Sequence, residues 1–195
     1  MPTGHEAEVM QLFEISGAYR RGHYFINEDL HVDRYWDKLR LFEHPKYITR
    51  LAEIIAVRNV TLGAEFIVGP PLCGAILAYE VARQCGSKLL LVEHDKAGAV
   101  VLRRPRWLPL GARVLIVDDS LKTGATLLSL LATLMEGGAT PVGAAVINRR
   151  MLPCGGVVLP LTIDSLLTVS EPIAVSAGEC ELCRKHEPLL GPIDT

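Results

Sequence analysis

Val114-Leu115-Ile116-Val117-Asp118-Asp119-Ser120-Leu121-Lys122-Thr123-Gly124-Ala125-Thr126 joins a hydrophobic run to two adjacent carboxylates and a small-residue turn. Four apolar residues suffice for a strand buried on both faces. Leu127, Leu128, Leu130, Leu131 and Leu134 then repeat at helical spacing. The pattern predicts a strand ending at Val117, a loop opened by the two acids, and a helix. Backbone N–H groups at a helix start are unpaired and carry the positive end of the helix dipole. Thr123-Gly124-Ala125-Thr126 can therefore wrap a phosphate without a cationic side chain. Asp118 and Asp119 would repel that phosphate. They suit another task, accepting hydrogen bonds from sugar hydroxyls or helping to hold a divalent cation. A Walker loop is disfavoured, because Lys122-Thr123 lacks the preceding glycine spacing.

Outward from this stretch, strands and helices alternate. Phe66-Ile67-Val68 reads as a strand into a Gly69-Pro70-Pro71 turn, Ala75 to Gln84 as a helix ended by Gly86, and Leu89 to Val92 as the next strand. Glu93 to Pro109 reads as a long loop, and Val142 to Ile147 as a further strand. Before the core, Glu6 to Ala18 and Pro45 to Arg58 read as amphipathic helices. Between these two helices, an extended pair at Tyr24 to Asn27 and Val32 to Lys38 forms a small N-terminal flap. Beyond Met151, prolines and glycines break the pattern into short apolar pieces.

Such alternation implies an α/β fold, a mostly parallel central sheet with flanking helices, whose ligands gather at the strand carboxyl ends. Three loops leave those ends. The first brings backbone amides of Gly69, Leu72, Cys73 and Gly74; the second supplies Lys96, Arg103, Arg104 and Arg106; the third is the acid pair and phosphate nest.

With 195 residues, 49% hydrophobic, 22% charged and a net charge of −2, the chain has the composition of a soluble globular protein with no basic footprint for nucleic acid. No apolar run approaches the length of a membrane helix and the first residues are not a basic signal start, so a cytoplasmic protein is expected. Five cysteines in such a chain argue against a disulfide framework.

The motif Val114 to Thr126 resembles the binding signature of the type I phosphoribosyltransferases. Gly22-His23-Tyr24-Phe25, Leu30 to Tyr35, Val68 to Arg83, Leu102-Arg103-Arg104, Val142 to Arg149 and the tail Glu179 to Arg184 resemble orotate phosphoribosyltransferases in order and spacing. The resemblance covers nearly the whole chain. It implies one domain over residues 1–195, with a hood at 1–44, a core at 45–150 and C-terminal strands and tail at 151–195. It also implies a magnesium-dependent reaction in which orotate displaces pyrophosphate from phosphoribosyl pyrophosphate, giving orotidine 5′-monophosphate in pyrimidine synthesis. The magnesium is held mainly through the donor.

Carried residue by residue, the resemblance assigns catalysis to Lys96, Asp118 and Asp119. It assigns the donor to Leu72, Cys73, Gly74, Arg103, Arg104, both acids, Ser120, Leu121, Lys122, Thr123, Gly124, Ala125 and Thr126, and the base to Asn27, Lys122 and Arg149. A homodimer is implied, with Lys96 lent to the neighbouring subunit's site. Asn27-Glu28-Asp29, Lys122 and Asn148 depart from the family's Ser-Ser-Gly, first threonine and aspartate. All three departures surround the acceptor, so two alternatives stay open: an enzyme for a different heteroaromatic base, or a non-catalytic phosphoribosyl pyrophosphate-binding regulator.

Other signals are weaker. Cys180-x-x-Cys183-x-x-His186 has metal-like spacing, but a structural zinc site needs four ligands and the sequence offers only the distant Cys154 to complete it. The expectation is a packed tail. Cys73 reads as a small buried thiol at a helix start, and His31 and His94 as packing or surface residues.

Overall fold

The computed structural model describes residues 4–27, 29–103, 108–151, 159–170 and 174–191. Helix α1 (Gly4–Ile15) buries Val9 and Phe13 and stops before the expected Ala18, where Ser16 Oγ donates to the Phe13 carbonyl. Strands β1 (Tyr19–Asn27) and β2 (Leu30–Trp36) pair antiparallel over a longer span than the expected flap. Lys38 is not part of the flap. It opens a short helix, α2 (Lys38–Phe42), because the Asp37 side chain accepts the Leu39 N–H and caps it. Helix α3 (Pro45–Asn59) starts on Pro45, whose missing N–H costs nothing in a first turn.

Strand β3 (Phe66–Val68) leads to α4 (Cys73–Cys85), which Gly86 closes in a left-handed conformation. Next come β4 (Lys88–Leu90), β5 (Val92–His94), β6 (Val100–Leu102), β7 (Arg113–Leu121), α5 (Ala125–Glu136), β8 (Thr140–Met151) and β9 (Ile163–Ser170). The chain continues through β10 (Val175–Ser176), α6 (Glu181–Arg184) and β11 (Leu189–Leu190). No helix among the described residues is long and apolar enough to cross a membrane.

The central sheet has the order β4-β3-β7-β8-β9 and every pairing in it is parallel. Strand alternation divides its core in two. Ile67, Leu115, Val117, Ala145 and Ile147 face α1, α3 and α4, while Phe66, Val68, Val114, Ile116 and Ala144 face α5. After β3 the chain steps outward to β4; after β7 it steps the other way to β8. The reversal makes the crevice between the carboxyl ends of β3 and β7 a topological switch point. On the far side, β9 is tied to α3, where Asp164 receives both Arg58 and the Asn59 amide.

The segment expected as a long loop after Glu93 contains structure. β5 and β6 form an antiparallel hairpin whose turn is held by Asp95, whose carboxylate accepts the N–H groups of Ala97 and Ala99. Val100 and Leu102 are buried with α5, and Thr133 Oγ1 donates to the Val100 carbonyl at 2.8 Å. That packing against a neighbouring helix organises residues whose local polarity reads as loop. A second sheet, β10-β2-β1-β11, forms the hood. The tail is therefore more than a packed appendage: its two short strands flank the β1–β2 hairpin, and Cys180 and Cys183 face His23 and His31.

Candidate active site

The acid pair lies within β7, two residues before the strand ends, and not in the following loop. β3 pairs with β7 only as far as Val68↔Ile116, whereas β8 stays paired to Leu121↔Arg149. Past Ile116 the β3 side of β7 is open, and the loop at 69–74 fills it. A Cβ at Gly69 would sit 2.0 Å from the Gly74 carbonyl oxygen, and one at Gly74 would sit 3.1 Å from Asp118 Oδ1. The two glycines thus bring a backbone turn directly against the acids.

Asp118 and Asp119 are nearly enclosed, 7% and 6% exposed. Asp118 Oδ1 accepts the Asp119 N–H at 2.8 Å, and Lys38 Nζ lies 2.7 Å from Asp119 Oδ2. Burial and then the neighbouring Asp119 charge push the Asp118 carboxyl up to about 8, against the smaller opposing pull of Lys38. Burial alone would depress the Lys38 ammonium, but the bond to Asp119 and the charges of both acids hold it above the ordinary lysine range. One lysine faces two enclosed acids, which leaves the pair suited to sugar hydroxyl donors or a further cation.

The turn after β7 leads into the expected helix. Gly124 takes a φ of 83° and caps α5, a conformation that favours glycine, and its carbonyl accepts the Leu128 N–H. Lys122, Thr123, Ala125 and Thr126 are exposed around it, with Ser120 half-buried below. Thr123 Oγ1 accepts the Ala125 N–H at 3.4 Å. The Leu121 side chain turns into the core, so only its backbone can meet a ligand. Leu72 is exposed at the mouth of the first loop, and Cys73 and Gly74 begin α4. Burial, then the Asp119 charge, raises the Cys73 thiol, as suits a packing residue and not a nucleophile.

The structure thus brings together Leu72 to Gly74, the acid pair and Ser120 to Thr126. Lys96 lies in the turn of the β5–β6 hairpin and Arg103 directly follows β6. Lys96 is exposed in its turn, and Arg103 Nη1 is paired with Glu93 Oε2 at 2.5 Å. Arg104, Arg106, Glu28 and the Asn27 side chain lie outside the described residues.

A cavity of about 130 Å³ opens beside Asp119, lined among others by Trp36, Lys38, Ser120, Asn148 and Arg150. Trp36 Nε1 and Asn148 Oδ1 are buried there without a hydrogen-bond partner among the described residues, a donor and an acceptor left for a ligand. Asn148 and Arg150 share one face of β8 by strand alternation; Arg149, expected at the base, is not among the lining residues. Sequence reasoning missed Trp36, Lys38 and Arg150. Lys38 carried no local signal, since its partner is a strand far along the chain, and Arg150 was separable from Arg149 only by knowing which strand face meets the cavity.

A phosphoribosyl transferase domain matches residues 38–152, from Lys38 through both acids and the whole of β8. An orotate phosphoribosyltransferase of Pelotomaculum thermopropionicum is 31% identical over 185 residues, 95% of each chain. The orotate phosphoribosyltransferase of Thermotoga maritima is 31% identical over 184 residues, 94% of this chain and 96% of its own. The chain belongs to the orotate phosphoribosyltransferase family. Among solved structures, orotate phosphoribosyltransferase from Mycobacterium tuberculosis H37Rv superposes with a TM-score of 0.68 at 19% identity, covering 84% of this chain and 96% of that one. Adenine phosphoribosyltransferase from Leishmania tarentolae reaches 0.60 at 21% identity, covering 82% and 87%. The fold is thus shared by enzymes of different bases, and in this member of the family the acceptor is a matter for the pocket. The matched domain excludes β1, β2 and the tail, so the hood lies beyond what the family domain covers.

Proposed function

We propose that the chain transfers the phosphoribosyl group of phosphoribosyl pyrophosphate to orotate, forming orotidine 5′-monophosphate and pyrophosphate in pyrimidine biosynthesis. The observation that carries this reading is the enclosed acid pair at the switch point, immediately before a helix that starts on Gly124. The nest at Thr123 to Thr126 seats the 5′-phosphate, while Asp118 and Asp119 accept the ribose hydroxyls. As pyrophosphate leaves, positive charge spreads over the sugar, and the same two carboxylates face it. Lys38 aims Asp119 through their 2.7 Å ion pair. The amides of Leu72 to Gly74 hold the departing pyrophosphate, joined by Lys96, Arg103 and Arg104 when the hairpin closes and excludes water.

The residues fit magnesium. Carboxylate oxygens are the donors a hard divalent ion takes, and Asp118 and Asp119 set such oxygens side by side at the switch point. Bound chiefly through the donor, magnesium would supply positive charge against the leaving group. Trp36, Asn148 and a β8 arginine shape the acceptor cavity, with a planar guanidinium suited to the orotate carboxylate. We further propose a cytoplasmic homodimer in which Lys96 serves the partner subunit's site.

The deciding assay follows pyrophosphate release from phosphoribosyl pyrophosphate with magnesium and a panel of bases. Orotate-dependent release, absent with Asp119→Asn, is expected. Release with another heteroaromatic acid and not orotate would move the activity to that base, and no release with any base would leave a binding regulator.

A further inference from the structure

We propose that His23, His31, Cys180 and Cys183 hold a structural zinc ion that staples the hood hairpin to the C-terminal tail. The two histidines project from β1 and β2 and are 2% and 5% exposed. Their ring nitrogens converge, His23 Nε2 lying 2.8 Å from His31 Nδ1. Cys180 caps α6 and Cys183 sits within it, so the helix presents both sulfurs to the same point. Cys180 Sγ and Cys183 Sγ are each 3.5 Å from His23 Nε2, and Cys183 Sγ is 3.2 Å from His31 Nδ1. All four ligand atoms lie within 4.8 Å of one another. A tetrahedral zinc with bonds of about 2.0–2.3 Å separates its ligand atoms by about 3.3–3.8 Å, so small adjustments would accommodate the ion.

The chemistry of the donor set narrows the occupant. Two nitrogens and two sulfurs exclude the hard ions that the acid pair would attract, and the mixed set is not the four-thiolate set of an iron–sulfur cluster. Zinc takes this set with four protein ligands and no open position, which makes the site structural and not catalytic. The tautomer supports it. His23 Nδ1 is 3.0 Å from the Glu187 carbonyl, which can only accept, so the proton sits on Nδ1 and the Nε2 lone pair points into the cluster. A second nitrogen bonded to a backbone carbonyl is the usual support of a metal-bound histidine.

The location explains what the ion would do. β10 and β11 are two residues each, too short to hold a tail against the hood by their ladders alone. His23 and Cys183 are 160 residues apart, so one ion would close most of the chain into a loop. The same hairpin ends at Trp36, in the acceptor cavity. Cys154 lies outside the described residues, and His186 is not in the group.

The test uses the full-length protein purified without chelator, with metal content by mass spectrometry and cobalt exchange as a spectroscopic probe. About one zinc per chain is expected, and cobalt loading should give tetrahedral absorption with a thiolate charge-transfer band. Cys180→Ser with Cys183→Ser should lose both signals and melt at lower temperature, while Cys85→Ser keeps them. Should the double variant fail to fold, the metal content and cobalt spectrum of the unaltered chain decide alone. Wild-type protein that stays metal-free after incubation with zinc, or that carries a Cys180–Cys183 disulfide, would overturn the proposal. Preferential retention of another metal from an equimolar mixture would overturn the assignment to zinc.

Discussion

Asp118 shows how a single enclosed carboxylate links ligand binding to pH. Below its unfolded value of about 4 the group is neutral in both states and imposes no penalty. Between there and about 8 the folded protein keeps a proton that the unfolded chain has lost, so stability falls as pH rises through this window. Asp118→Asn should therefore raise the melting temperature of the ligand-free protein at pH 8, by about 2–4 °C for each kcal/mol relieved, and have little effect near pH 4. Calorimetry across pH checks this, with turnover lost in the same variant. The base arginine is the second question at this scale. Arg149→Ala and Arg150→Ala, compared by steady-state kinetics, should separate the two: the arginine that pairs with orotate loses about 2–5 kcal/mol in acceptor kcat/KM with little change toward the donor. The cavity lining assigns that loss to Arg150, the family motif to Arg149.

At the scale of elements, the site depends on two backbone segments packed closer than side chains allow. Gly69→Ala would place a methyl group 2.0 Å from the Gly74 carbonyl oxygen, which is backbone and cannot swing aside. The expected cost is about 1–3 kcal/mol, a melting temperature lower by about 2–12 °C, and weaker donor binding as the 69–74 loop moves off Asp118. Thermal melts with titration of phosphoribosyl pyrophosphate would show both; an unchanged melt would mean that the loop yields without strain. The β5–β6 hairpin is a contrasting element. Its base is anchored to α5 through buried Val100 and Leu102, but Lys96 rides exposed in the turn. That combination suits a cationic tip that approaches a ligand without taking part in the core.

At the scale of the whole molecule, the predicted exchange of Lys96 between subunits has a direct test. Lys96→Ala and Asp119→Asn proteins, each inactive, should recover up to about a quarter of wild-type activity when mixed and allowed to exchange, because half the dimers are mixed and each of those holds one intact site. No recovery despite demonstrated exchange would assign each loop to its own chain. The sequence alone determined the parallel α/β architecture, because Val114 to Val117 and the leucines after Thr126 have only one way to be buried, as strand and helix. It also determined that an acid pair stands just ahead of a small-residue helix start, because those residues are contiguous and their types and order suffice. Tertiary structure decided whatever depends on residues distant along the chain. Lys38 against Asp119, Arg150 toward the cavity, the hairpin that α5 organises and the four ligand atoms of the hood all meet through packing. No local pattern of charge or hydrophobicity specifies such meetings. Cys180-x-x-Cys183 displayed half of a metal site, but the other half is two histidines on a hairpin from the opposite end of the chain, and only the fold of the hood sheet brings them within reach.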